Sequence, residues 1–133
     1  EGAGLSVLAA SSPMVRDHIA GVVALGLPDR NELGWRFRDS LIYLTKKTPE
    51  EPTFSASDVV SGVAPVPLAA IHSSHDEFVP VAEVQAVLDR ARGPKRLWVG
   101  DASGHRFGGA RPQLEHSLLE AIAWIGSERG AGP

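Results

Sequence analysis

Residues 67–80 read PLAAIHSSHDEFVP and residues 95–109 read KRLWVGDASGHRFGG. In each, a short apolar run opens onto a polar loop. The run at 67–72 is continuous rather than alternating, too short for a free helix, and bounded by Pro67 and by Ser73-Ser74. That is the pattern of a strand covered on both faces. Residues 95–100 form a second such run. Between them, residues 81–92 place Val84, Val87 and Leu88 on one helical face and stop at Gly93-Pro94. Strand, helix, strand is the connection that parallel neighbouring strands require.

The same alternation extends outward. Residues 2–10 are small and apolar and predict a buried helix ending near Ser11-Ser12-Pro13. Residues 20–27 (AGVVALGL) predict a strand closed by Pro28-Asp29. Residues 28–64 form a mixed, cap-like insertion, with a helix expected around 33–46 and a short one near 58–60 capped by Ser55 or Ser57. Pro112 suits the first turn of a last helix with an apolar stripe of Leu114, Leu118, Ile122 and Ile125. Residues 127–133 predict a flexible tail. The expected class is α/β: about three parallel strands flanked by helices over residues 1–126. Three strands are few for a free-standing α/β sheet, so further strands are expected on the N-terminal side.

Composition narrows the functions. The 133 residues are 43% hydrophobic and 22% charged, with a net charge of −3 and no cysteine. That supports a packed core and excludes disulfides and thiolate metal sites. The basic residues are scattered, which argues against a nucleic-acid partner. No apolar run approaches the ~20 residues of a membrane span, so no transmembrane segment is expected. The compartment is not determined by these features.

In open parallel sheets, ligands bind at the carboxyl ends of the strands. Two such ends carry chemistry here. The first loop holds Asp76, the second His105, and adjacent parallel strands would put them side by side. A carboxylate beside an imidazole fixes its tautomer and stabilises the imidazolium formed during proton transfer. Taken singly, a loop aspartate is usually a turn or cap residue and a loop histidine a solvated one. Together, on consecutive strands, they are candidates for catalysis. His72, His75, Asp76 and Glu77 also invite a metal reading, but zinc needs three or four converging ligands. No metal and no cofactor are expected.

These loops resemble those of the α/β-hydrolases. The acid loop of that superfamily reads x-x-D-x-x-V-P, matched by Ser74-His75-Asp76-Glu77-Phe78-Val79-Pro80, and the base loop reads G-H, matched by Gly104-His105. The resemblance covers residues 1 to about 126 and implies the C-terminal half of the fold, with the chain order Ser, Asp, His. It also implies a G-x-S-x-G nucleophile elbow followed by a small-residue helix. No complete elbow lies in the chain. Glu1-Gly2 fit its last two letters, which would put the serine just upstream of residue 1 and make the Glu1 backbone N–H an oxyanion donor.

The implied activity is hydrolysis of a small-molecule or lipid ester. The isolated chain is expected to be inactive, and to pair with an N-terminal half of the same fold or with another copy of itself. Residues 26–28, 32–39 and 52–54 further resemble the bacterial virulence-associated VirJ/AcvB hydrolase group. Members are typically periplasmic, and one branch is associated with hydrolysis of aminoacylated phospholipid. Trp35 and Phe37 either pack the insertion on the core or cover the site; with Phe78 they are the candidate substrate contacts. Two alternatives stay open. One is a non-catalytic α/β binding or assembly module in which Asp76 and His105 are a structural pair; the other is a hydrolase with a Cys or Asp nucleophile.

Overall fold

In the computed structural model, which describes residues 2–32 and 53–130, the chain opens with helix α1 (Gly2–Ala10) and a single turn, α2 (Pro13–Arg16). Strand β1 (Val22–Leu25) follows, then a short antiparallel ribbon of β2 (Arg30–Glu32) and β3 (Thr53–Ser55). Helix α3 (Ala56–Val59) runs into a 3-10 turn at Val60–Val63 and then strand β4 (Leu68–Ser73). Helix α4 (Val81–Asp89), strand β5 (Lys95–Gly100) and helix α5 (Arg111–Gly130) complete the chain.

The sheet order is β1-β4-β5, all parallel. All six residues of β4 are buried because it is the central strand with helices on both faces. Leu68 and Ala70 pack on one side with Val7 and Ala10 of α1, Val60 and Val63, and Val84, Val87 and Leu88 of α4. Ala69 and Ile71 pack on the other with Trp98, Ala121 and Ile125. Fully buried Leu68, Ile71 and Leu88 each contribute about 1.5–3 kcal/mol by leaving water. Among the described residues, the free edge of β1 pairs with no strand, and no helix is long and apolar enough to cross a membrane.

Several expected boundaries shift, each for a physical reason. Helix α4 ends at Asp89, three residues early, where the Arg90 and Ala91 N–H groups turn to the carbonyls three residues back, Val87 O at 3.1 Å and Leu88 O at 3.0 Å. On α5 the core-facing stripe is half-buried Leu114 and Leu118 with buried Ala121 and Ile125, while Ile122 is 60% exposed. At about 100° per residue Ile122 drifts some 80° from Leu114, whereas Ala121 and Ile125 stay within about 20°. The same helix runs on to Gly130, so residues 127–130, expected as tail, are helical.

The cap of α3 is also not the expected one. Ser55 makes no side-chain cap bond. Its hydroxyl donates to Asp29 Oδ1 at 2.6 Å, and the Ser57 N–H donates to the same oxygen at 2.9 Å. Asp29 therefore caps the helix from across the ribbon and ties the residue before β2 to the end of β3. The helix expected around 33–46 lies outside the described residues, as do Trp35 and Phe37.

Candidate active site

The register pairs Ser73, the last residue of β4, with Gly100, the last of β5, so both loops leave from one edge of the sheet. The buried Ser73 hydroxyl donates to Ala102 O at 3.0 Å, and the Ser74 N–H donates to Gly100 O at 2.9 Å. Phe107 and Ala110 anchor the far end of the base loop in the core. The two loops are thus pinned to the sheet and to each other independently of Asp76 and His105.

Asp76 and His105 meet. The His105 Nδ1–H donates to Asp76 Oδ2 at 2.6 Å across 29 positions of sequence. The other carboxylate oxygen, Oδ1, accepts the backbone N–H groups of Phe78 and Val79, each at 2.8 Å. The Asp76 side chain is 1% exposed and that of His105 is 32% exposed. Burial pushes the Asp76 carboxyl up and is the largest single influence on it. The hydrogen bonds from His105, Val79 and Phe78 together outweigh burial and hold it below its ordinary value of 3.8. The carboxylate is therefore ionised at neutral pH and accepts only, so the His105 proton sits on Nδ1 and its lone pair on Nε2. Among the described residues Nε2 takes no hydrogen bond. This is the form a general base needs.

Gly26 shapes the floor beneath the imidazole. It follows β1 with φ +63°, and a Cβ added there would lie 2.5 Å from His105 Cε1 and 2.9 Å from Nδ1. Phe78 meets the same ring edge-on, with centroids 5.7 Å apart and planes at 87°, and is itself 74% exposed. Below the acid, fully buried His72 donates from Nε2 to Val79 O at 2.7 Å, and this nitrogen is 3.7 Å from Asp76 Oδ2. His72 thereby holds the turn whose N–H groups hold the carboxylate.

Of the expected site residues, Asp76, His105 and Phe78 are brought together; Glu1, Trp35 and Phe37 lie outside the described residues. Gly26, His72 and Glu77 were not anticipated in the site. His72 and Glu77 carried a sequence signal only as possible metal ligands near Asp76, and Gly26 only as part of the 26–28 stretch. Among the described residues no group of three or more His, Asp or Glu side chains is arranged to hold a metal ion. No described serine bonds to His105: the Ser6 hydroxyl donates to Gly2 O at 2.7 Å and that of Ser11 to Leu8 O at 2.6 Å.

No family model matches the sequence, and neither does any curated protein. Solved structures do match. The chain aligns with the esterase domain of a Rhodothermus marinus protein at a TM-score of 0.60 and 17% identity, over 96% of this chain and 56% of that one. It aligns with Est1E from Butyrivibrio proteoclasticus at a TM-score of 0.55 and 16% identity, over 91% of this chain and 58% of that one. The fold is part of an α/β-hydrolase fold. The chain spans a little over half the length of each of these two structures.

In this partial hydrolase fold two hydrogen-bonded carboxylates, Asp29 and Asp76, carry an acid sensitivity. The Ser55 hydroxyl lowers the Asp29 carboxyl most; burial opposes it, and the Ser57 N–H lowers it further, leaving it below 3.8. Asp29 and Asp76 both have folded values below the unfolded one. Their contribution to stability is therefore complete above about pH 4 and is lost as pH falls through the folded values. Urea midpoints measured from pH 7 to 2.5 should hold above about pH 4 and drop below it. Asp29→Asn should flatten part of that drop; an acid limb identical to wild type would contradict the assignment.

Proposed function

We propose that the protein carrying this chain is a hydrolase of esters or similar acyl bonds. In it His105 is the general base, Asp76 orients the base, and a serine supplied from outside these 133 residues is the nucleophile. One observation carries this reading: a buried, ionised Asp76 receives Nδ1–H of His105 at 2.6 Å, and among the described residues Nε2 takes no hydrogen bond. The esterase neighbours, longer than this chain, support it.

The chemistry follows from that tautomer. The serine Oγ attacks the acyl carbon while its proton passes to His105 Nε2, giving a tetrahedral oxyanion. Collapse breaks the bond to the leaving alkoxide, which takes the proton from Nε2 and departs as the alcohol. Water then attacks the acyl-enzyme, again losing its proton to Nε2, and the serine leaves with that proton restored. Asp76 stays ionised throughout and stabilises the transient imidazolium. No cofactor is required.

The finer elements of the proposal have separate supports. The elbow match at Glu1-Gly2 makes the Glu1 N–H the oxyanion donor. Exposed Phe78, against the edge of His105, supplies an apolar wall for the acyl or alkyl group. A substrate contact by Trp35 and Phe37, in the 28–64 insertion, rests on the sequence alone. The free edge of β1 is where an N-terminal half of the sheet pairs. A periplasmic aminoacyl-phospholipid substrate rests on the narrower VirJ/AcvB resemblance alone.

Labelling with a fluorophosphonate probe tests the core claim. The protein containing this chain and its upstream sequence should be labelled on a serine before residue 1, and His105→Ala should abolish labelling within the assay time. An intact, folded protein that resists the probe would refute a serine hydrolase.

A further inference from the structure

The acid loop grips the base loop at a second point that the Asp76–His105 pair does not use. Glu77 Oε2 accepts the backbone N–H of His105 itself at 3.0 Å, across 28 positions of sequence. The backbone on the other side of that N–H is shaped around the same oxygen. Gly104 has φ +142°, and a Cβ added there would lie 2.7 Å from Glu77 Oε2. A side chain at 104 would therefore displace the carboxylate as well as strain the backbone. Consecutive acids thus divide the work on one histidine: Asp76 holds its ring and Glu77 holds its main chain.

We infer that Glu77 is a positioning residue for His105, its carboxylate fixing the base's backbone so that the ring reaches Asp76 in register. This rests on His105 being the base of the proposed hydrolase, and it deepens that reading. The physical ground is leverage. The imidazole hangs from its Cα by two rotatable bonds, so a fixed carboxylate partner determines ring position only if the Cα is also fixed. A charge-assisted hydrogen bond to a carboxylate is stronger than one to a neutral acceptor. Glu77 is exposed, so the bond does not serve the core. An exposed surface acid with no positional role would need neither the N–H aimed at it nor the space left at Gly104.

The experiment compares Glu77→Ala, which removes the acceptor, with Glu77→Gln, which keeps an oxygen at the same reach. It uses the protein carrying this chain with its upstream sequence. Two NMR signals report without turnover: the assigned His105 backbone amide proton and the low-field Nδ1 proton shared with Asp76. In Glu77→Ala the amide should move upfield and the Nδ1 signal should broaden or shift, with the melting temperature held. kcat on a chromogenic ester should fall about ten- to a hundredfold, as for a catalytic group misplaced by a fraction of an ångström, with KM changed less than twofold. Glu77→Gln should recover most of each effect. Gly104→Ala, which pushes the carboxylate away while keeping it, should reproduce the Glu77→Ala signals.

Unchanged amide and Nδ1 signals in Glu77→Ala would overturn the inference, as would a Glu77→Gln variant as impaired as the alanine. A wild-type protein with no ester hydrolysis would sink the hydrolase reading instead, while the two NMR signals would still decide the role of Glu77.

Discussion

Asp76→Asn should lower kcat for ester hydrolysis by about four orders of magnitude, the scale seen when a triad base is held in the wrong tautomer. The reason lies in how Asp76 divides its oxygens. Oδ1 accepts the Phe78 and Val79 N–H groups at 2.8 Å each, while Oδ2 faces His105 Nδ1 at 2.6 Å. An asparagine has one oxygen, and two backbone donors compete for it. Its NH2 group is then turned toward His105 and must donate. That forces Nδ1 to become the acceptor and puts the ring proton on Nε2, where it blocks proton abstraction. The geometry of the loop should survive, so KM and the melting temperature should change little. Steady-state kinetics on a chromogenic ester would check this, and a kcat within tenfold of wild type would remove Asp76 from the mechanism.

The second large effect is expected at Gly26, a residue that makes no hydrogen bond to the pair. Gly26→Ala places a methyl 2.5 Å from His105 Cε1, well inside van der Waals contact. The backbone there has φ +63°, a region that costs a non-glycine residue about 1–2 kcal/mol. The ring must swing away from β1, and the 2.6 Å bond to Asp76 must lengthen. A displacement of about an ångström at a catalytic group costs on the order of a hundredfold in rate, so kcat should fall by about that much or more. Loss of the low-field Nδ1 proton would report the same event directly. Gly126→Ala is the control, since a Cβ there meets nothing within 4 Å; it should leave kcat unchanged. If Gly26→Ala keeps both the rate and the Nδ1 signal, the ring is not held where the structure has it.

How much of this was legible beforehand depends on range. Helix α1 and strand β5 have the bounds expected from residues 2–10 and 95–100, because a small-residue helix and a short run opened by Gly93-Pro94 and closed by Gly100 signal themselves locally. The meeting of Asp76 with His105 was legible for a topological reason. A strand, a helix and a parallel strand fit between them, and that connection returns the second loop to the same edge as the first. Asp29 was not legible as the cap of α3. Its partner Ser55 is 26 positions away, and Ser55 and Ser57 looked locally sufficient.

Sequence by itself determined the class, the order of the parallel elements and the meeting of Asp76 with His105, since periodicity and turn chemistry act over a few residues. Tertiary structure alone decided the site's finer construction. Gly26 matters because β1 lies beside β4 and brings its end under the imidazole. Glu77 matters because the Gly104 backbone turns the His105 N–H toward it. Ala121 rather than Ile122 is buried because the phase of α5 is set by the sheet it lies on. Each is a distance between segments far apart in the chain, and no local pattern encodes such a distance. The pair that local patterns did predict, Asp76 and His105, therefore owes its 2.6 Å contact to residues that those patterns left unmarked.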